Sequence, residues 1–286
     1  MNRYNKFVVF ALFLILSASP LTQAASVDTV SVYSAAMQKE IKCVVIKPSA
    51  YKNKKKQFPA VYLLHGYSGW YSNWLLRVPQ LKDHADKLEL LIVCPDGGHS
   101  SWYLNSPLDS SMRYETHITS EVIPYIDAHY RTRATPEARA ITGLSMGGHG
   151  GLFLGLRHPE LFGACGSMSG GVDLSFSKVK YDISKRIGDT VNYVQNWKDY
   201  SVYYMAEQYR NTQQKIIFDC GTDDFYYEAN RLLHEKMLRL GIPHDYIERP
   251  GKHDWAYWTN AVPYQLYFFN VYFKGDGPTG NIPAKR

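Results

Sequence analysis

The chain has 286 residues, of which 45% are hydrophobic, 20% charged and 14% aromatic, a balance that excludes a largely disordered chain and is enough for one large core. The formal charge is +6, and because Arg3 and Lys6 supply two of those charges, the chain beyond residue 24 carries only +4. That excess is too small and too scattered for a nucleic-acid-binding face: the one dense run, Lys52, Lys54, Lys55 and Lys56, falls in a short polar segment that reads as a solvated turn.

At the N-terminus Arg3 and Lys6 precede an apolar run at 7–16, and small residues follow to Ala24. This is the three-part layout of a secretory signal peptide, residues 1–24, cleaved after Ala24. The run is ten residues long, against the ~20 that a spanning helix needs. The expected mature protein is therefore exported, periplasmic or secreted, without a membrane span. Turn signals and apolar runs then predict strands at 29–34, 41–47, 60–65, 90–94, 138–142, 164–168, 216–220 and 245–248. Helical stretches are predicted at 114–130, 146–157, 227–240 and 255–273.

Strands such as Val61-Tyr62-Leu63-Leu64 and Leu90-Leu91-Ile92-Val93 are apolar throughout, as strands buried on both faces must be. With helices between the later strands, this predicts an α/β fold: an eight-stranded, mostly parallel sheet covered on both sides. One domain spans 25–274, and 275–286 is a Gly/Pro-rich tail read as mobile. Residues 171–214 are too long for an ordinary connection. They carry Tyr181, Tyr193, Trp197, Tyr200, Tyr203, Tyr204 and Tyr209 and read as a partly helical cap over a site, with a helical crossover as the alternative. The four cysteines, Cys43, Cys94, Cys165 and Cys220, fall in or beside predicted strands and read as buried free thiols. Their separations match no metal-ligand spacing, so neither a metal nor a cofactor is expected.

The chemistry concentrates at Gly143-Leu144-Ser145-Met146-Gly147, a Gly-x-Ser-x-Gly directly after a predicted strand and opening a predicted helix. A sharp strand-to-helix turn leaves no room for side chains beside the serine and holds its hydroxyl above the sheet, which makes Ser145 the candidate nucleophile. The helix that follows carries Gly147, Gly148, Gly150, Gly151 and Gly155, at a cost of ~1 kcal/mol each relative to alanine. Close approach of that helix to the sheet, with its positive N-terminal end under the nucleophile, would offset this. A serine needs an imidazole to take its proton. Among ten histidines, His253 lies in a loop after the last strand and before the final helix, where this architecture presents its base. The orienting carboxylate should follow the seventh strand, at Asp223 or Asp224; neighbours in an extended segment point to opposite sides, so only one can face the imidazole. The N–H groups of Met146 and of Tyr67, in the turn after the third strand, are the candidate oxyanion hole, and His65 is read as bracing that turn.

Four motifs, LLHGYSG (63–69), GLSMGGHGGL (143–152), CGTDDF (220–225) and PGKHDWAYW (250–258), stand in one order. On them the chain, from about residue 28 to 274, resembles the esterase family of α/β-hydrolases, which includes S-formylglutathione hydrolases, mycolyltransferases, tributyrin esterases and feruloyl esterases. The resemblance implies the α/β-hydrolase fold and a triad of Ser145, Asp224 and His253, because the family's acid is usually the fourth residue of a Gly-x-x-Asp turn. Asp223 is the fallback. It also implies that the loop with Ser101, Trp102 and Tyr103 borders the acyl pocket.

Together these readings predict a serine carboxylesterase that forms an acyl-enzyme on Ser145 and acts on acetyl or feruloyl esters of carbohydrates or on small short-chain esters, with Trp102, Tyr103 and Trp197 as substrate-binding residues. Trp70, Tyr71 and Trp74 belong to the same aromatic group, able to stack on a sugar or phenolic ring. The alternatives are transfer of the acyl group to a sugar hydroxyl, a thioesterase like the S-formylglutathione hydrolases, and a non-catalytic binding module on the same scaffold.

Overall fold

The computed structural model describes residues 24–177 and 180–275. The apolar N-terminal segment up to residue 23 and the tail from residue 276 lie outside the described residues.

All eight predicted strands form, with ends displaced by three residues or fewer. They are β1 (Ser26–Ser34), β2 (Lys39–Lys47), β3 (Ala60–Leu64), β4 (Leu91–Pro95), β5 (Arg139–Gly143), β6 (Ala164–Met168), β7 (Lys215–Gly221) and β8 (Asp245–Arg249). Their order in the sheet is β1-β2-β4-β3-β5-β6-β7-β8. The β1/β2 and β2/β4 pairs are antiparallel, and the other five are parallel. The helices are α1 (Asn73–Arg77), α2 (Leu81–Leu88), α3 (Tyr114–Thr116), α4 (Ile123–His129), α5 (Met146–Arg157), α6 (Ile183–Ile187), α7 (Val194–Asp199), α8 (Val202–Met205), α9 (Tyr227–Leu240) and α10 (Trp255–Lys274).

Successive strand residues point to opposite faces, and each face has its own core. Tyr62, Leu64, Ile141, Cys165 and Phe218 pack with Phe153 and Leu156 of α5 and Leu233 of α9. Val61, Leu63, Ala140, Ala164 and Ile217 pack with Leu81 of α2 and with Val262, Leu266 and Phe269 of α10. Two-sided burial is why these strands carry no polar alternation. The molecule is thus an α/β-hydrolase fold built around an eight-stranded, mostly parallel sheet.

Two local expectations change. The predicted helix at 114–130 is interrupted: a π turn at His117–Val122 separates α3 from α4. Pro124 has no N–H to return to the carbonyl four residues back, and the Thr119 hydroxyl bonds the Glu115 carbonyl at 2.8 Å, so the α ladder is disturbed at two points there. Residues 171–214 form a succession of short helical pieces, among them α6, α7 and α8. Most of their aromatic surface faces inward, and Tyr181 alone of the tyrosines counted there joins the cleft that holds Ser145. The four cysteines are buried and free.

Candidate active site

Ser145 sits between β5 and α5 with φ +55° and ψ −115°, a conformation a side-chain-bearing residue adopts only under constraint. The constraint is visible in its neighbours. A Cβ on Gly143 would lie 2.5 Å from the Leu64 carbonyl oxygen, and one on Gly147 would lie 2.5 Å from that same oxygen and from the His65 oxygen. Below the turn, Gly147, Gly151 and Gly155 form a stripe at every fourth position, and a Cβ at Gly151 would stand 2.3 Å from the Gly166 oxygen. The glycines therefore let α5 press against β3, β5 and β6 and bring its N-terminal end directly under the serine.

Three elements bring the remaining polar groups to that point. His253 Nε2 lies 2.9 Å from Ser145 Oγ. The His253 Nδ1–H faces the carboxylate of Asp224 at 2.8 and 3.0 Å. The Asp224 carboxylate is completely buried, whereas the His253 side chain is 13% exposed. Asp224 is held from the other side by the Tyr226 N–H, which donates to Oδ1 at 2.8 Å. Asp223 is exposed, and its N–H donates to the Gly251 carbonyl at 2.9 Å. Of the two acids left open by spacing, only Asp224 touches the imidazole. Phe225, Tyr226 and Trp258 surround the His253 ring at 4.2, 5.5 and 4.9 Å between centroids, which fixes its plane.

Met146 is the first residue of α5, so its N–H has no carbonyl four residues back to bond. Gly66 packs on the serine, its Cβ position being 3.5 Å from Ser145 Cβ, and Tyr67 lines the same cleft. His65 braces the turn. The Gly97 N–H donates to its Nε2 at 2.7 Å, so the ring proton is on Nδ1, which reaches the Gly66 carbonyl at 2.8 Å. His65 is buried and does not face Ser145 in place of His253.

Two buried titratable groups underlie the site. Burial pushes Asp219 up to about 6, against the pull of hydrogen bonds from Gln265 and Tyr257 and the charge of Arg249. Tyr257 donates to it at 2.9 Å and also packs against Gly251 in the His253 loop. Burial pushes His149 down to about 4, although both its nitrogens face carbonyls, of Tyr200 at 2.8 Å and Trp102 at 3.1 Å.

Ser145 opens into a cleft of about 350 Å³. One wall is the turn after β3 with α1: Tyr67, Ser68, Trp70, Asn73 and Arg77. His253, Trp255, Trp258 and Tyr181 complete the lining. Trp102, Tyr103 and Trp197, expected to bind substrate, are not in these walls and are 1%, 0% and 6% exposed. Their polar atoms are committed to backbone: the Trp102 indole to the Tyr181 carbonyl at 3.0 Å, the Tyr103 hydroxyl to His65 at 3.0 Å and the Trp197 indole to Gly188 at 3.0 Å. Trp74 is likewise buried, on the Leu64 carbonyl at 2.9 Å. The aromatics that do line the cleft are Tyr67, Trp70, Tyr181, Trp255 and Trp258, the last two of which stand two and five residues after His253 on the first turn of α10. Their motif and the helix that carries them were legible in the sequence; which of its aromatics reach the cleft was not.

Among the described residues no group of three or more His, Cys, Asp or Glu side chains could hold a metal, and no helix is long and apolar enough to cross a membrane. The arrangement can move a proton from a hydroxyl to an imidazole backed by a carboxylate, which is the equipment of acyl transfer.

A family model described as "Putative esterase" matches residues 34–269. An acetyl esterase of Caldicellulosiruptor saccharolyticus is 26% identical over 252 residues, covering 82% of this chain and 94% of the relative. An esterase of Mycobacterium tuberculosis is 28% identical over 235 residues, and there the match takes in 73% of this chain but only 51% of the relative, so the chain spans about half that protein's length. Among solved structures, a ferulic acid esterase superposes with a TM-score of 0.75 at 29% identity, covering 87% of this chain and 98% of that one. A fluorophosphonate-binding serine hydrolase of Staphylococcus aureus has the same fold, with a TM-score of 0.76 at 21% identity, over 86% of this chain and 98% of that one. With the match running through almost the whole described sheet and the serine turn at its centre, the chain belongs to the esterase family.

Proposed function

We propose that this protein is a serine carboxylic-ester hydrolase whose triad is Ser145, Asp224 and His253. The observation that carries the reading is the continuous relay from Ser145 Oγ through His253 to a fully buried carboxylate, at 2.9 and 2.8 Å, opening into an aromatic-walled cleft. In this mechanism Ser145 Oγ attacks the ester carbonyl carbon as its proton passes to His253 Nε2. Asp224 holds the imidazole in the tautomer that presents Nε2 and stabilises the imidazolium that forms. The carbonyl oxygen, now negative, is held by the N–H groups of Met146 and Tyr67, each worth ~3 kcal/mol in such a site. Collapse expels the alcohol, which takes the proton from His253, and leaves the acyl group on Ser145. Water repeats the cycle in reverse and releases the acid.

Carbohydrate-linked acetyl or feruloyl esters, or small short-chain esters, are the proposed substrates. The similarity to an acetyl esterase and to a ferulic acid esterase supports this choice, as do Trp70 and Trp255 along the cleft, whose faces suit a sugar or phenolic ring. Export, with the substrate met outside the cytoplasm, and a capping role for 171–214 belong to the same reading. The test is a panel of 4-nitrophenyl acetate, methyl ferulate and acetylated xylan. Hydrolysis of at least one by the wild type, with Ser145→Ala retaining less than about a thousandth of it, supports the reading. Full activity in Ser145→Ala would refute it.

A further inference from the structure

Arg77 ends α1 and lies in the wall of the Ser145 cleft, exposed. Its setting differs from that of four arginines held by acids. Arg139, Arg157 and Arg186 sit on Asp127, Glu115 and Asp109 at 2.6, 2.9 and 2.6 Å, and Arg231 sits on Glu228 at 2.7 Å. The Arg77 guanidinium has no hydrogen-bond or ion-pair partner among the described residues. No Asp or Glu lines the cleft at all. The acids next to its lining residues are engaged elsewhere: Asp224 with His253, Asp182 with Lys185 and the Tyr67 hydroxyl, and Asp254, between His253 and Trp255, with the Tyr257 N–H at 3.0 Å. The cleft therefore offers a cationic donor, an aromatic surface and no carboxylate of its own.

A guanidinium binds a carboxylate through two parallel N–H···O bonds, and such charge-assisted pairs are the strong ones. We propose that Arg77 is a specificity residue that receives a carboxylate of the substrate, so that the preferred esters are those of acidic sugars, with the sugar ring along Trp70 and Trp255 and its carboxylate at Arg77. This rests on the esterase reading above.

The experiment compares two substrates that differ only at this group: acetyl monoesters, at the same ring oxygen, of methyl glucuronoside and of methyl glucoside. Wild-type kcat/KM should favour the glucuronoside about tenfold, in line with a hydrogen bond to a charged group, and the preference should shrink as salt screens the pair. Arg77→Gln should bring the ratio to about one, and Arg77→Lys should keep part of it. Because the readout is a ratio within one preparation, loss of folded protein does not imitate it. A wild-type ratio near one, or a preference that survives in Arg77→Gln, overturns the proposal. Hydrolysis of 4-nitrophenyl acetate separates the two readings: if the wild type cleaves it while showing no preference between the sugars, only the role of Arg77 falls, and if it cleaves no ester at all, both fall.

Discussion

Two groups of large aromatic side chains, one in the Ser145 cleft and one buried behind it in the fold, differ in what their polar atoms do. Trp74, Trp102, Tyr103 and Trp197 are buried, and each gives its N–H or O–H to a main-chain carbonyl, of Leu64, Tyr181, His65 and Gly188 respectively. They tie loops together. Trp70, Trp255 and Trp258 line the cleft; Trp70 is 46% exposed and gives its indole N–H only to the adjacent Ser72 hydroxyl, and Trp258 gives its N–H to nothing described. Residue type cannot separate a wall from a brace, since both groups supply the same rings. The fate of the polar edge separates the braces from Trp70, because a buried indole N–H or hydroxyl on a main-chain carbonyl is spent on the fold, whereas the Trp70 ring stays open to solvent; Trp258, buried with an N–H that meets no acceptor, follows neither pattern.

The largest expected effect lies between these groups, at the acid behind His253. Asp224→Asn should lower kcat by ~10⁴, the loss seen when such an orienter is neutralised, while the exposed Asp223→Asn should change it less than about threefold, as single-turnover and steady-state assays would show. Next come the braces. Trp102→Ala should cost ~3–5 kcal/mol of stability in denaturant unfolding, as large buried aromatics do. Trp70→Ala should leave stability within about 0.5 kcal/mol and instead raise KM severalfold for a ring-bearing ester. If Trp70→Ala unfolds the protein and Trp102→Ala only weakens binding, the division is reversed.

The smallest effects are pH-dependent and have opposite signs. Asp219, ordinarily near 3.8, is raised to about 6, so the folded chain holds a proton the unfolded one has lost; the stability this supplies is full below 3.8 and is lost as pH rises through 6. His149, ordinarily near 6.5, is lowered to about 4, so the unfolded chain takes up the proton first, and stability is lost as pH falls from 6.5 towards 4. The two slopes oppose each other between pH 4 and 6. Asp219→Asn should therefore steepen the rise of stability with pH in that window, and His149→Phe, which lies under Trp102, should turn the rise into a fall. Urea melts at pH 4.5 and 6.5 would measure both.

The sheet was legible because its strands are buried on both faces and so spell continuous apolar runs. The serine turn was legible because glycines on both sides of Ser145 have a steric meaning before any coordinates are seen. The preference for Asp224 over Asp223 came from resemblance, since alternation alone says only that one must face away; the structure supplies the reason, the turn that buries Asp224 under Tyr226. Trp102, Tyr103 and Trp197, expected to bind substrate, lie buried outside the cleft lining, because aromatic content near the serine motif does not reveal which main-chain carbonyls lie within reach. Arg77 was missed altogether: α1 is five residues long, carries no clear periodicity, and an isolated arginine stands out only once every neighbouring acid is seen to be engaged.

The central claim, that Ser145 becomes acylated, is tested most directly by intact-mass and peptide analysis after incubation with an organophosphate such as diethyl 4-nitrophenyl phosphate. The account predicts one covalent adduct, located on Ser145, with esterase activity lost in step with labelling and no adduct in Ser145→Ala. An adduct on a different residue, or full esterase activity after Ser145 has been labelled to completion, would contradict it.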